Sequence, residues 1–239
     1  MSKENRKYNY AKDGFCLTEV LPSEFITNLK KILAISNFEK FELGNVEIKI
    51  LSLDLSNVLV NKCLDEIIEI IHDNTKIEKL YLKNNFTNKV YLTEDDINSE
   101  HRNQKFHYDS YPSTKMMIYL SDNSEDACGS TMFLKGSAQS YFLKKINFLR
   151  NFYVPGKYGM KNNKELNELI LNSEKVVASN NKYSGLIFNT DTVHCASKIT
   201  KQNFTRLIVR FDFKQPTKLG VYLDNFYSRV SNIYSRVFN

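Results

Sequence analysis

The feature that most restricts the fold of this chain is a series of short β-like segments that begins near residue 77. They are rich in β-branched and aromatic residues, and several alternate apolar with polar side chains: IEKLYLKNN, NKVYLTE, KFHYDSY, KMMIYLS, STMFLKG, YSGLIFNTDTVH and TRLIVRFDF. Many short strands at fairly regular spacing are typical of an antiparallel sandwich or barrel. The sequence therefore predicts a mainly β core over residues 77–213.

Helical patterns flank this core on both sides. The segment LPSEFITNLKKILA predicts a helix with Ser23 as its N-terminal cap. The segment VLVNKCLDEIIEIIH predicts a second helix that ends at His72, where a cation is favourable. A third helix is predicted over residues 219–238, because apolar side chains recur there on one face. This last helix either covers the sheet or contacts a second copy of the chain.

One long interruption, residues 138–182, divides the series of strands. It contains two helix-like pieces, YFLKKINFLRNF and KELNELILN, with a glycine-containing loop between them. Insertions of this length are more often functional than idle, so we expect substrate specificity to reside here and in residues 97–105. No repeat or low-complexity linker is present, which predicts one domain over residues 1–239, with its N-terminal helices in residues 20–75.

Composition narrows the class of protein. The 239 residues and a hydrophobic content of 42% are sufficient for a real core. The formal net charge of +6 comes mostly from scattered lysines, without a run of five basic residues, which argues against nucleic-acid binding. The four cysteines form no C-x-x-C pair, which argues against a zinc framework or a disulfide scaffold. Because the sequence shows no signal-peptide pattern and no apolar stretch long enough to span a membrane, we expect a cytoplasmic location. We expect the protein to be a monomer or a homodimer.

Three candidate metal ligands stand in the predicted strands. His107 and Asp109 are separated by one residue, so in a strand they project to the same face. His194, at the end of YSGLIFNTDTVH, is the third candidate. Two imidazoles and one carboxylate form the facial set that leaves positions open on Fe(II) for a cosubstrate and dioxygen. A structural zinc site would instead be closed and tetrahedral.

The segment TRLIVRFDF supplies a candidate anion-binding residue. One face of this strand carries Arg206, Ile208, Arg210 and Asp212, and the other carries Leu207, Val209, Phe211 and Phe213. The apolar face is expected beneath helices, so the charged face looks into the barrel, where a buried arginine requires an anion. Arg206 follows His194 closely enough to lie on the neighbouring strand, and its guanidinium suits a dicarboxylate. Alternatively, Arg206 or Arg210 pairs with Asp212.

The order His107-x-Asp109, His194, Arg206 resembles that of the Fe(II)- and 2-oxoglutarate-dependent oxygenases, and specifically the phytanoyl-CoA dioxygenase family. KDGFCLTEVLPSEFITNLKKIL resembles the opening strand and helix of that family. ACGSTMFLKGSAQ resembles its segment leading to a Pro-Gly-Ser-His turn, and YSGLIFNTDTVHCAS resembles the strand that delivers the distal histidine. The resemblance covers most of residues 10–213 and implies a double-stranded β-helix (jelly-roll, cupin-like) core with helices on one side.

The resemblance also implies roles for individual residues. Three would hold Fe(II), with no catalytic side chain beyond them: His107, Asp109 and His194. Arg206 would bind the distal carboxylate of the cosubstrate 2-oxoglutarate, with Arg210 as the second choice. Tyr119 and Thr131 are either hydrogen-bond donors to the cosubstrate or ordinary strand residues. Tyr111, on the ligands' face, and Arg210 are candidates to contact the substrate.

One departure from the family pattern and one retained residue bear on these roles. The Pro-Gly-Ser-His turn is Lys135-Gly136-Ser137-Ala138 in this chain, and neither lost residue is a metal ligand. Asp109 is retained, whereas related halogenases carry Gly or Ala there, so hydroxylation is favoured over halogenation.

His101 falls in a polar stretch and is predicted to be either an exposed loop residue or a substrate contact.

The predicted reaction is hydroxylation of a C–H bond in a small molecule, with O2 consumed and succinate and CO2 released. Two alternatives stay open. The first is a non-catalytic jelly-roll protein that binds a small ligand. The second is an oxygenase that acts on a macromolecule, such as a nucleic acid or a protein side chain.

Overall fold

The computed structural model describes residues 8–43, 46–77, 81–82, 89–95, 105–109, 113–140 and 164–214. The helices in these residues are α1 (Tyr10–Asp13), α2 (Ser23–Ile35), α3 (Val58–Thr75) and α4 (Lys164–Asn172). The strands are β1 (Phe15–Val20), β2 (Phe38–Leu43), β3 (Val46–Ser52), β4 (Tyr81–Leu82), β5 (Lys89–Asp95), β6 (Thr114–Tyr119), β7 (Thr131–Leu134), β8 (Lys175–Ala178), β9 (Ser184–Asn189), β10 (His194–Ala196) and β11 (Arg206–Lys214). None of these helices is long and apolar enough to cross a membrane.

The strands form two antiparallel sheets. The larger has the order β1-β9-β6-β11-β5-β3-β2, with β4 also paired to β11, and the smaller has the order β10-β7-β8. An inner cluster of buried side chains joins the sheets, with members from both: Phe15, Tyr119, Phe133, Val176, Ala178, Leu186, Phe188 and Ile208. The predicted mainly β core is confirmed, and its interior lies between the two sheets.

Helices α2 and α3 cover the other face of the larger sheet. Their buried residues recur at helical spacing, as expected for an amphipathic helix on a sheet, and they are Phe25, Ile26, Leu29, Ile32, Val60, Cys63, Leu64, Ile67 and Ile71. They form an outer cluster with residues of the sheet that include Val209, Phe211 and Phe213 of β11. The flanking helices predicted from the sequence are therefore present, on one side of the β core.

The period-2 alternation of β11 decides which of its side chains reach the interior. Val209 and Phe211 pack in the outer cluster, whereas Ile208 packs in the inner cluster. Because alternate strand residues share a face, Arg206 and Arg210 lie on the inner side with Ile208. This is the arrangement that the alternation of TRLIVRFDF predicts.

Helix boundaries differ slightly from the sequence predictions. Helix α3 continues three residues past His72 to Thr75, and the left-handed residue Lys76 ends it by donating its N–H to the His72 carbonyl. Asn57 caps the other end of α3 through its side-chain oxygen. Helix α2 begins at Ser23, so the cap position falls on Pro22, which makes no side-chain cap hydrogen bond.

Three strands are present that the sequence patterns did not predict. Strands β2 and β3 pair with each other inside residues 20–75, and β3 extends the larger sheet by pairing with β5. VEIKILS alternates as a strand does, but it lies between two helical patterns and was not predicted as a strand. Strand β8 lies inside residues 138–182 and pairs with β7, so the end of that stretch belongs to the core. The helix predicted over residues 219–238 lies outside the described residues.

Candidate metal and cosubstrate site

His107 and His194 lie directly opposite each other on two neighbouring segments of backbone. His107 donates its backbone N–H to the His194 carbonyl at 2.9 Å, and His194 donates to the His107 carbonyl at 2.8 Å. Directly opposed residues of an antiparallel pair project to the same face, and the two imidazole ring centres are 4.5 Å apart. The predicted strand KFHYDSY is thus only an isolated bridge within residues 105–109, yet that bridge brings the imidazoles together.

Asp109, two residues after His107, completes the cluster. Its Oδ1 is 3.9 Å from Nε2 of His107 and 3.8 Å from Nε2 of His194. The candidate ligand atoms of the three residues all lie within 4.8 Å of one another. Donor atoms in a facial set lie about 3.0 Å apart when each bond is about 2.1 Å long, so the Asp109 oxygen would move roughly 1 Å closer to each imidazole on binding an ion.

Backbone carbonyls orient both imidazole rings. Nδ1 of His107 lies 2.7 Å from the Lys105 carbonyl oxygen, and Nδ1 of His194 lies 2.7 Å from the Thr192 carbonyl oxygen. A carbonyl oxygen only accepts, so each Nδ1 carries the hydrogen and each Nε2 keeps its lone pair. Both histidines therefore present Nε2 to the space beside Asp109 in the tautomer that a metal requires.

A buried lysine contacts the second oxygen of Asp109. The Nζ of Lys115 on β6 forms a close ion pair with Oδ2, although Lys115 is only 8% exposed. Burial raises the pKa of Asp109, but Lys115 and the two histidines outweigh it and hold the pKa of this carboxyl well below its usual range. The carboxylate is thus ionised, with Oδ1 directed at the imidazoles.

Sequence reasoning missed Lys115, although the signal was available. Lys115 and Tyr119 share one face of β6 by the period of two, and Tyr119 belongs to the inner cluster. A lysine at the beginning of a strand is usually solvated, because it is almost never fully buried unless it is paired. Its partner here, Asp109, comes from a different segment of the chain.

The electrostatics of the site favour a neutral His194. Burial lowers the pKa of His194 to about 3, and the neighbouring His107 contributes to the decrease. A metal-binding histidine must be deprotonated at Nε2, so this environment prepares the ring for coordination at physiological pH.

The metal-free protein is expected to lose stability as the pH falls below about 6.5, the ordinary histidine pKa. Within that window the unfolded chain takes up a proton at His194, whereas the folded protein does so only near pH 3. The free energy of unfolding should therefore decrease by up to about 1.4 kcal/mol per pH unit from this residue. Urea unfolding with a chelator at about pH 7.5 and about pH 5 measures the effect. A His194→Phe variant should show a shallower dependence, and equal slopes would contradict the assignment.

Two threonines anchor the turn that delivers His194. Strand β9 ends at Asn189, and His194 begins β10 in the other sheet instead of ending a single long strand as predicted. Thr190 Oγ1 donates to the Ser113 carbonyl at 3.0 Å, and Thr192 Oγ1 donates to the Gly14 carbonyl at 3.1 Å. Gly14 has φ 89°, and a Cβ there would lie 2.0 Å from Thr192 Oγ1, so this close approach requires glycine.

The segment around Ser137 also holds this turn. Ser137 Oγ accepts the backbone N–H of Val193 at 2.8 Å. The residue between the first two ligands, Tyr108, is buried with Leu134, Leu166 of α4 and Val193. These contacts fix the backbone on both sides of the histidine pair.

Arg206 lies at the beginning of β11 and is 4% exposed. Its Nη1 donates to the carbonyl of Gly129, which stands two residues before β7. Gly129 has φ 73°, and a Cβ there would lie 2.5 Å from Ile199 Cγ1 and 3.3 Å from Arg206 Nη1. A glycine is therefore required where the guanidinium approaches the backbone.

Thr131 lies between the histidine pair and Gly129, the partner of Arg206, along β7, and Tyr119 of β6 is beside it. In the register of β7 with β10, His194 faces Phe133 and Ala196 faces Thr131, so Thr131 is one step from the histidines toward Gly129. The Tyr119 hydroxyl is 3.3 Å from Thr131 Oγ1, and both residues are buried. The order through the interior is thus the histidine pair, then two hydroxyls, then the guanidinium.

The remaining residues that the sequence analysis singled out are Arg210, Tyr111, His101 and Cys195. Arg210 Nε is 3.0 Å from Asp212 Oδ1, which is the alternative that the sequence left open for this arginine. Its charge is therefore balanced within β11 itself. Tyr111, a candidate substrate contact, and His101 lie outside the described residues. Cys195, next to His194, is a buried free cysteine.

Comparison with known proteins relates the fold to enzymes of one chemical type. No protein-family model matches the sequence, and no curated protein matches it. SnoN, a non-heme alpha-ketoglutarate-dependent epimerase from nogalamycin biosynthesis, aligns with a TM-score of 0.57 at 13% identity, over 87% of this chain and 81% of its own. HygX from Streptomyces hygroscopicus, with nickel, 2-oxoglutarate and hygromycin B bound, aligns with a TM-score of 0.53 at 15% identity, over 87% and 85%.

A third solved structure agrees. SnoK, a non-heme alpha-ketoglutarate-dependent carbocyclase from the same pathway as SnoN, aligns with a TM-score of 0.52 at 12% identity, over 85% of this chain and 80% of its own. At these identities the similarity establishes the fold. The chain has the jelly-roll fold seen in non-heme 2-oxoglutarate-dependent enzymes.

Proposed function

We propose that this protein is an Fe(II)- and 2-oxoglutarate-dependent dioxygenase that hydroxylates a C–H bond of a small molecule. The observation that carries the proposal is the cluster of His107, Asp109 and His194, whose ligand atoms lie within 4.8 Å of one another inside a jelly roll. The motif order supports the phytanoyl-CoA dioxygenase family as the nearest group within this class. The retained Asp109 supports hydroxylation over halogenation.

The three residues fit a divalent iron ion. Each imidazole presents Nε2, because its Nδ1 donates to a backbone carbonyl, and the carboxylate is held ionised by Lys115. Two imidazoles and one carboxylate suit non-heme Fe(II) and occupy three positions of an octahedron, which leaves three for other ligands. With iron and 2-oxoglutarate bound, the chemistry supplied is C–H hydroxylation coupled to decarboxylation, in which O2 provides one oxygen atom to succinate and one to the product.

The remaining side chains position the cosubstrate and keep water out. Arg206 would hold the distal carboxylate of 2-oxoglutarate, and the hydroxyls of Tyr119 and Thr131 would donate along its length. Phe188 packs edge-on against His194 with ring centres 4.9 Å apart, and Phe133 lies beyond it at 6.1 Å. Such aromatic walls limit the access of water to the ligands.

A small-molecule substrate is supported by the position of the ligands. His107 and His194 are both 5% exposed, so a reacting group must enter the barrel to approach them. Among the solved structures of this fold, HygX binds hygromycin B and SnoN binds nogalamycin RO. A macromolecular substrate would instead have to present a single side chain or base to this buried site.

Succinate release tests the proposed function. Wild-type protein with Fe(II), 2-oxoglutarate and O2 should form succinate even without substrate, and the rate should rise with the correct substrate from a screen of amino acids, phosphonates, acyl thioesters and sugars. The Asp109→Ala variant is the control and should be inactive. A wild-type protein that is folded and iron-loaded but forms no succinate with any of these compounds would favour the non-catalytic ligand-binding alternative.

A further inference from the structure

Asn180, two residues after β8 ends, is buried without a hydrogen-bond partner for its side chain. It is 2% exposed, and neither its Nδ2 nor its Oδ1 is hydrogen-bonded among the described residues. Its backbone is fully paired, because its N–H donates to the Asn123 carbonyl at 2.9 Å and its carbonyl accepts from the Asn123 N–H at 2.8 Å. Buried side-chain amides are nearly always hydrogen-bonded, so this carboxamide lacks a partner that a ligand would supply.

The Asn180 side chain faces the interior of the barrel. Val176 and Ala178 of β8 belong to the inner cluster with Tyr119 and Phe133. Ser179 faces the other way, because its hydroxyl donates to the exposed side chain of Asp126 at 2.8 Å. Alternate residues of an extended segment share a face, so Asn180 continues the inner face of Val176 and Ala178.

Asn180 also lies at the Arg206 end of this interior. In the register of β7 with β8, Ala178 faces Thr131, so Asn180 lies further toward Gly129. Its backbone partner Asn123 donates from Nδ2 to the Cys128 carbonyl at 2.8 Å. Gly129, the next residue, accepts from the Arg206 guanidinium. Through Asn123, the Asn180 backbone is thus linked to Cys128, whose neighbour Gly129 accepts from Arg206.

We propose that Asn180 is a second binding residue for the distal carboxylate of 2-oxoglutarate, its Nδ2 donating to a carboxylate oxygen that Arg206 also contacts. The inference rests on the proposed function. It gives a role to a buried amide that has no hydrogen-bond partner among the described residues. It also assigns the selection of a dicarboxylic 2-oxo acid to two residues, one charged and one neutral.

Ligand binding to the Asn180→Leu variant, which preserves side-chain size, tests the inference. Affinity is measured without O2 on Mn(II)-loaded protein, for 2-oxoglutarate and for 2-oxopentanoate, which has the same chain but no distal carboxylate. Loss of a hydrogen bond to a charged group should weaken 2-oxoglutarate binding roughly 10- to 100-fold and leave 2-oxopentanoate binding within about twofold. An Asn180→Asp variant should be weaker still for 2-oxoglutarate, because two carboxylates would then face each other.

The controls separate this inference from the proposed function and from misfolding. Ser179→Ala, on the opposite face of the same segment, should bind both acids like the wild type. A poorly folded variant would lose binding of both 2-oxoglutarate and 2-oxopentanoate. That result would contradict the expected selective loss of 2-oxoglutarate binding. If the wild type binds 2-oxoglutarate and Asn180→Leu binds it equally well, the amide contacts only water and the inference is wrong. If the wild type binds no 2-oxoglutarate, the proposed function itself is wrong.

Discussion

Replacing His194 with alanine is expected to abolish stoichiometric Fe(II) binding and to reduce succinate formation by more than about 100-fold. Loss of a hydrogen-bond partner behind a ligand already costs about 10- to 100-fold in metal affinity or activity, and here a ligand itself is lost. The neighbouring Cys195 is a poor replacement, because burial raises the pKa of its thiol to about 11 and the thiolate is the metal-binding form. Iron content after gel filtration and succinate formation measure the two effects.

His72 provides the matched control for this experiment. It lies in the last turn of α3 with 48% of its side chain exposed, away from the candidate site. His72→Ala removes one histidine from the chain and should leave both iron content and succinate formation unchanged. Iron retained at the wild-type stoichiometry by His194→Ala would show that the ion is held elsewhere.

The Arg206→Met variant is expected to lose most of its affinity for 2-oxoglutarate and to keep its affinity for Fe(II). Truncating one partner of a buried, hydrogen-bonded charge pair costs about 2–5 kcal/mol, which corresponds to roughly 30-fold to several thousandfold in Kd. Arg206→Lys should recover part of the loss, because it restores the charge without the planar fork. Calorimetric titration of the Mn(II)-loaded protein without O2 gives the dissociation constant of 2-oxoglutarate, and iron content after gel filtration shows whether Fe(II) is kept.

Arg210→Met is the corresponding control on the same face of β11. Its guanidinium is 3.0 Å from Asp212, so we expect the variant to change 2-oxoglutarate affinity little. If Arg210→Met loses the cosubstrate and Arg206→Met does not, the anchor is Arg210 and the order of residues along the cavity must be revised.

The elements predicted best are those whose pattern is local. The alternation of TRLIVRFDF, broken only at Ile208, was sufficient to place Arg206 on the inner face of β11, because one strand face had to lie beneath the helices. The apolar spacing in α3 was likewise sufficient to predict which face of that helix is buried. The residue types His107, Asp109 and His194 were identified from their chemistry. These residues come together because the backbone of His107 pairs with that of His194. No local sequence pattern indicates that pairing.

What the sequence did not predict depends on tertiary contacts. Lys115 is buried because Asp109, from a separate segment, neutralises it. Asn180 looks like a turn residue in ASNNKYSG, and only its backbone pairing with Asn123 shows that it extends the inner face of β8. Strands β2 and β3 lie between two long helices, so helical context outweighed the alternation of VEIKILS.

The central claim is that this jelly roll binds Fe(II) through His107, Asp109 and His194 with positions open for 2-oxoglutarate. An anaerobic optical titration tests it most directly, because 2-oxoglutarate that chelates Fe(II) through its 1-carboxylate and 2-oxo group produces a visible charge-transfer band. We expect the wild type to develop the band and saturate at about one equivalent of iron, and Asp109→Ala to show none. A folded wild-type protein that develops no band, with a metal content unchanged by His107→Ala, would contradict the claim.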